Sequence, residues 1–109
     1  MANRFQVLDV ALDLVVALRP LVEHIAHHDR DLAHQLRRAA SSVPSNISEG
    51  AQRTGKDRLH LYRIAAGSAA EVRTQLHVAL AWGDIAAATI QPALGLLDRI
   101  VAMLWKLTH

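Results

Sequence analysis

Two histidines one helical turn apart, His24 and His28, with His27 between them and Asp31 close behind, come nearest to a metal site. Imidazoles at that spacing project from one side of a helix and can share a borderline ion such as zinc, with a carboxylate completing the set. No glutamate follows His24, so the HExxH arrangement is missing, and the cluster falls at an expected helix junction. Solvent-facing histidines are the expectation, and no metal or other cofactor is assigned. Ser41, Ser42, Ser45, Ser48 and Ser68 supply hydroxyls, but nucleophilic serine needs a base and a preorganised oxyanion donor, and no residue pattern nominates either. Asp9 and Asp13 are one turn apart, a spacing also found in paired catalytic carboxylates; on an amphipathic helix they form a solvated face. The five glycines stand alone, so there is no phosphate-cradling loop. An enzyme is not expected.

Charge placement is more informative. The net charge is only +2, yet residues 30–73 carry eight basic against four acidic side chains, while the remainder carries four against six. Phosphates of a nucleic acid are the natural partners of such a segment, and Arg37, Arg53, Lys56, Arg58 and Arg63 are the candidate contacts. The alternative is a set of surface charges and internal ion pairs. Tyr62 is the one aromatic inside the basic segment, which leaves little there for base stacking. Substituting Arg58 or Arg63 is expected to leave folding intact and to weaken polyanion binding.

These residues must be positioned by helices. The chain has 109 residues and 51% apolar content, enough for one globular domain spanning 1–109. Alanine and leucine supply 35 residues, and both favour helix. Cysteine is absent, and Arg4, Asp9 and Asp13 stand where a signal peptide would be uncharged. Charges interrupt the apolar stretches, so no membrane partner is expected and cytoplasm is the default location. Leu8, Ala11, Leu12, Val15 and Leu18 mark an amphipathic first helix, continuing past a kink at Pro20 through residues 21–28. Asp29 and Asp31 suit the start of a second helix reaching about Arg53, with a bend at Pro44 and Ser41 or Ser42 satisfying the freed backbone groups. The third helix is expected over Lys56–Gly83, with Gly83 as its cap, and the fourth over Ala87–Leu107, or starting nearer Pro92. The result is an all-α, up-and-down antiparallel four-helix bundle. The fourth helix has an apolar arc too wide for one bundle and the third has small flanks at Ala65, Ala66, Ala69 and Ala70, so self-association is expected.

An antiparallel hairpin turning near Gly55 places opposite one another residues whose numbers sum to about 110. Ser42 then faces Ser68, and Arg38 falls close to Glu71. A polar seam of Arg38, Ser42, Asn46, Glu49, Ser68 and Glu71 is expected there, including a buried Arg38–Glu71 ion pair that fixes register.

The segment LRRAASSVPSNISEGAQR from Leu36 to Arg53, followed by LYRIAAGSAAEVRTQL from Leu61 to Leu76, resembles the four-helix-bundle family named for proteins encoded in intervening sequences of 23S ribosomal RNA. An arginine pair, an alanine pair, a serine before proline, an Asn-Ile-x-Glu-Gly block and a Gly-Ser-x-x-Glu block carry the resemblance. Accessory proteins of diversity-generating retroelements look like relatives of this fold. The resemblance implies a small cytoplasmic bacterial protein, a ring-shaped homopentamer of four-helix bundles, and RNA binding as the proposed activity. The family motif falls on Arg37, Arg38, Asn46, Glu49, Gly50, Gly67, Ser68 and Glu71. This chain departs from it at Ala66, where an arginine is common, with Arg63 one turn earlier. The function expected is a non-enzymatic oligomeric scaffold binding RNA or another nucleic acid through its basic middle helices. A protein-interaction adaptor without nucleic-acid binding is the alternative.

Overall fold

The computed structural model describes residues 4–109 as four helices, α1 (Arg4–Ala26), α2 (Arg30–Ala51), α3 (Gly55–Trp82) and α4 (Ala87–Thr108), with no strand among the described residues. Their connections, residues 27–29, 52–54 and 83–86, are too short for a crossover, so successive helices run antiparallel. Each helix packs on its neighbours in chain order and α4 closes against α1, giving an up-and-down bundle of 42 × 24 × 19 Å.

Apolar residues at three- and four-residue intervals build the core. In α1 the buried stripe is Val7, Val10, Ala11, Leu14, Leu18, Leu21 and Ile25, and it crosses Pro20 without interruption. Pro20 is exposed, which leaves the carbonyl it deprives of a donor on the watered side of the helix. The Asp29 carboxylate accepts from the Leu32 amide at 2.9 Å and starts α2 as a side-chain cap. Through Pro44 α2 remains helical, but the expected rescue of the orphaned Ala40 carbonyl is not made by Ser41. The Ser41 hydroxyl instead donates to the Arg37 carbonyl at 2.9 Å, since a helical serine reaches back one turn to the i−4 oxygen. At the end of α3 Gly83 adopts φ +81°, and its amide donates to Leu80 O while Asp84 N donates to Ala79 O. This left-handed cap is where glycine is needed. α4 begins at Ala87, so Pro92 lies inside it and does not open it.

Leu14, Leu18, Ile25, Leu36, Ile47, Tyr62, Leu76, Leu97 and Ile100 are almost fully buried, each worth about 1.5–3 kcal/mol of transfer free energy if aliphatic or aromatic. α2 and α3 form the most intimate pair. A Cβ on Gly50 would sit 2.7 Å from Cε1 of Tyr62, so the absence of a side chain at Gly50 is what admits the tyrosine ring. α4 differs from the expectation that charges break up every apolar stretch: it is long and apolar enough to cross a membrane by length and composition. Its Ile90, Ala93, Leu97, Ile100 and Leu104 stripe is buried in the bundle, yet only 28% of its most apolar stretch is covered by the chain itself.

Candidate nucleic-acid interface

Antiparallel packing collects residues from all four helices at one end of the bundle. There the start of α1 meets the end of α2, the start of α3 and the end of α4. Arg53, Lys56, Arg58, Arg63 and Lys106 share this end with only Asp9, Glu49 and Asp57. At the opposite end Glu23, Asp29, Asp31 and Asp84 are matched by Arg19, Arg30, Arg37 and Arg38. The described residues thus carry a cationic excess at one end of the bundle and balanced charge at the other.

The five candidate phosphate contacts are not equivalent. Arg53 pairs with Glu49 at 3.1 Å on the exposed end of α2. Arg58 is half-buried and donates from Nε to the Gly50 carbonyl at 3.3 Å and from Nη2 to the Ala51 carbonyl at 3.5 Å. These carbonyls belong to the last turn of α2, where Gly50 O also accepts from Arg53 N at 3.0 Å, so Arg58 supports the end of that helix from the next one. This corrects the expectation that replacing Arg58 leaves folding untouched. Lys56 and Arg63 are exposed, and among the described residues no hydrogen bond or ion pair engages their side chains. Arg37 is also exposed, but it lies far from the turn, beside a groove of about 410 Å³ between α1 and α2 lined by Val15, Leu18, Arg19, Val22, Glu23 and Ser41 among others.

The α2/α3 seam has the register expected of the hairpin. Ser42 Oγ and Ser68 Oγ meet at 2.8 Å, and Asn46 Nδ2 donates to Ser42 Oγ at 2.9 Å and to Ser42 O at 2.8 Å. Arg38 and Glu71 line the same groove, of about 260 Å³, with Gln35, Ser42 and Ser68. They are exposed, not buried, and no ion pair joins them, which corrects the sequence-based expectation. In water an arginine and a glutamate gain little by closing the last few ångströms. Glu71 instead accepts a long contact of 3.5 Å from Gln75 Nε2 one turn along α3. Glu49 pairs with Arg53 and lines a separate α2/α3 groove with Asp57, His60 and Leu61.

His24 and His28 face each other with ring centroids 5.5 Å apart and planes tilted by 56°, both exposed. Among the described residues no group of three or more histidines and carboxylates is placed to hold a metal. The sequence reading missed Trp105, Lys106 and His109, which lie more than thirty residues beyond the basic segment. Only the bundle topology brings them to its basic end. Trp105 is 60% exposed and stacks on His109, with centroids 4.3 Å apart and planes 9° from parallel.

Three comparisons with known proteins bear on this geometry. Residues 3–106 match the family model described as 23S rRNA-intervening sequence protein. The fold is similar to the crystal structure of a protein of unknown function from the S23 ribosomal protein family of Bacteroides thetaiotaomicron, at a TM-score of 0.87 and 20% sequence identity, covering 94% of this chain and 97% of that one. No curated protein matches.

Proposed function

The chain belongs to the 23S rRNA-intervening sequence protein family, and from that premise we propose that it is a non-enzymatic helical scaffold that binds RNA through the basic end of its bundle. The observation that carries this reading is the set of cations at that end, Lys56, Arg63 and Lys106, that no carboxylate or carbonyl engages among the described residues. Unpaired cations on a narrow bundle end neutralise phosphate without first breaking an internal contact. Arg53 adds to the field while tied to Glu49, and Arg37 contributes only to RNA long enough to run along α2.

Copies of the chain would multiply these contacts through avidity. Phe5, Leu12 and Val16 on α1 are 73%, 49% and 64% exposed, and their spacing of seven and four residues makes one outward stripe. An uncovered stripe of this kind favours association of copies. The ring-shaped homopentamer, the cytoplasmic location and the absence of enzymatic activity are parts of this proposal.

Fluorescence anisotropy of a labelled structured ribosomal RNA fragment and of an unrelated RNA, measured over a salt series, tests the reading. Affinity that falls steeply with salt, with a slope lowered by about one in the Lys56→Ala variant, is the expected result. Absence of binding at low salt would overturn it. The groove between α1 and α2, with Val15, Leu18, Val22 and Ala40 at its base, favours the second reading, a protein-docking adaptor. A protein partner retained at high salt would support that one.

A further inference from the structure

We propose that Trp105, backed by His109, is a stacking platform for an unpaired RNA base, with Lys106, Arg63 and Lys56 holding the phosphates on either side. This rests on the RNA-binding reading and specifies the chemical class of its ligand, a single-stranded nucleotide segment.

The register of α3 and α4 makes the site. Arg73 Nη2 meets the Asp98 carboxylate and marks how the two antiparallel helices align. Seven residues are close to two turns, so Trp105 lies on the same flank of α4 as Asp98, further toward the basic end. Seven residues back from Arg73 on α3 is Ala66, which stands opposite the indole. A methyl group covers little of an indole, and Trp105 remains 60% exposed, with Val101 one turn before it 41% exposed. Arg63 lies one turn beyond Ala66 toward the same end, Lys56 two turns beyond Arg63, and Lys106 follows Trp105 directly.

The indole is also held. Thr108 Oγ1 donates to the carbonyls of Leu104 and Trp105, at 2.9 and 3.3 Å, and His109 Nδ1 lies 3.0 Å from the Trp105 carbonyl. These contacts keep the last turn of α4 wound and seat the imidazole parallel to the indole. A flat aromatic pair with an outer face open to water is suited to adding a third ring, and a nucleobase has one on each face. A paired base has its faces covered by neighbours in the helix, so the platform selects unpaired segments. A protein docking site would call for a concave apolar surround. Here the indole has Lys106 beside it on α4 and Arg63 at the same end of α3, and Val101 is the exposed apolar residue one turn before it.

The test uses the Trp82→Phe variant, in which Trp105 is the sole indole; Trp82 is 76% exposed, so the change spares the core. Oligouridylate and a duplex RNA of equal phosphate number are titrated at low salt, reading indole emission and the anisotropy of a labelled strand together. The expected result is quenching by oligouridylate that saturates with the anisotropy, and little quenching by the duplex. Trp105→Ala weakens oligouridylate binding by about ten-fold, and Trp105→Phe restores most of it. Anisotropy that saturates without quenching, with Trp105→Ala binding unchanged, would overturn the platform and leave the RNA reading standing. No binding of either RNA would overturn both. A Trp105→Ala protein that changes its sedimentation coefficient without RNA would overturn it also, by placing the indole between copies of the chain.

Discussion

Gly50 and Arg58 show how single residues set the α2–α3 corner. Gly50 is buried, and the ring of Tyr62 occupies the space a Cβ would need, with two ring carbons 2.7 and 2.8 Å from it. Tyr62 is itself 1% exposed and cannot swing into solvent without opening the core. Gly50→Ala should therefore lower stability by about 1–3 kcal/mol through overpacking, read as a fall in the urea midpoint with the slope unchanged. An unchanged midpoint would mean the ring can shift at no cost. Arg58 presents the complementary case, in which a cation expected at the surface serves the fold. Removing its two contacts to Gly50 and Ala51 carbonyls should cost about 0.5–1.5 kcal/mol, discounted toward the lower end because the site is only half-buried. Lys56→Ala should leave the urea midpoint in place and lower RNA affinity. The pair of variants separates cap from ligand at neighbouring positions.

At the scale of elements, helices and their pairing were legible because period, caps and breakers agreed. Asp29 caps α2 and Gly83 ends α3 as their residue types require, and the Ser42–Ser68 contact follows from a hairpin turning at Gly55. What the pattern did not contain was the depth at which a pair of side chains sits. Arg38 and Glu71 fall on facing helices, but both lie outside the line between helix axes, where water competes for them. Either Arg38→Ala or Glu71→Ala is therefore expected to change stability by no more than about 0.5 kcal/mol. A loss of several kcal/mol, measured by thermal or urea unfolding, would restore the buried pair. The candidate interface was half legible for a related reason. Lys56 and Arg63 belong to a basic stretch of sequence, whereas Trp105 and Lys106 join them only because α4 returns antiparallel along α3. Charge clusters can be read along a chain; a cluster assembled from two helices needs their register, in which Arg73 meets Asp98.

For the whole molecule, the bundle has an excess of cations at one end, balanced charge at the other, and apolar side chains left facing water along its length. An isolated bundle 24 × 19 Å in section has no inner surface on which to cover the outward stripe of α1. Copies packed side by side through that stripe would cover it and, if the bundle axes share one direction, gather their basic ends on one rim of the assembly. The local cation density at that rim would then exceed what one chain presents, and RNA affinity would depend on assembly as well as on Lys56 and Arg63. Leu12→Glu with Val16→Glu tests this, because both positions are exposed and their replacement leaves the core stripe intact. The double variant should keep the helical circular dichroism of the parent, sediment as a smaller species, and bind RNA at least ten-fold more weakly with a shallower salt slope, since fewer phosphates are neutralised at once. A variant that sediments like the parent would show that α1 is not the contact between copies. One that dissociates yet binds RNA with the parent's affinity and slope would show that a single bundle end is the complete binding unit.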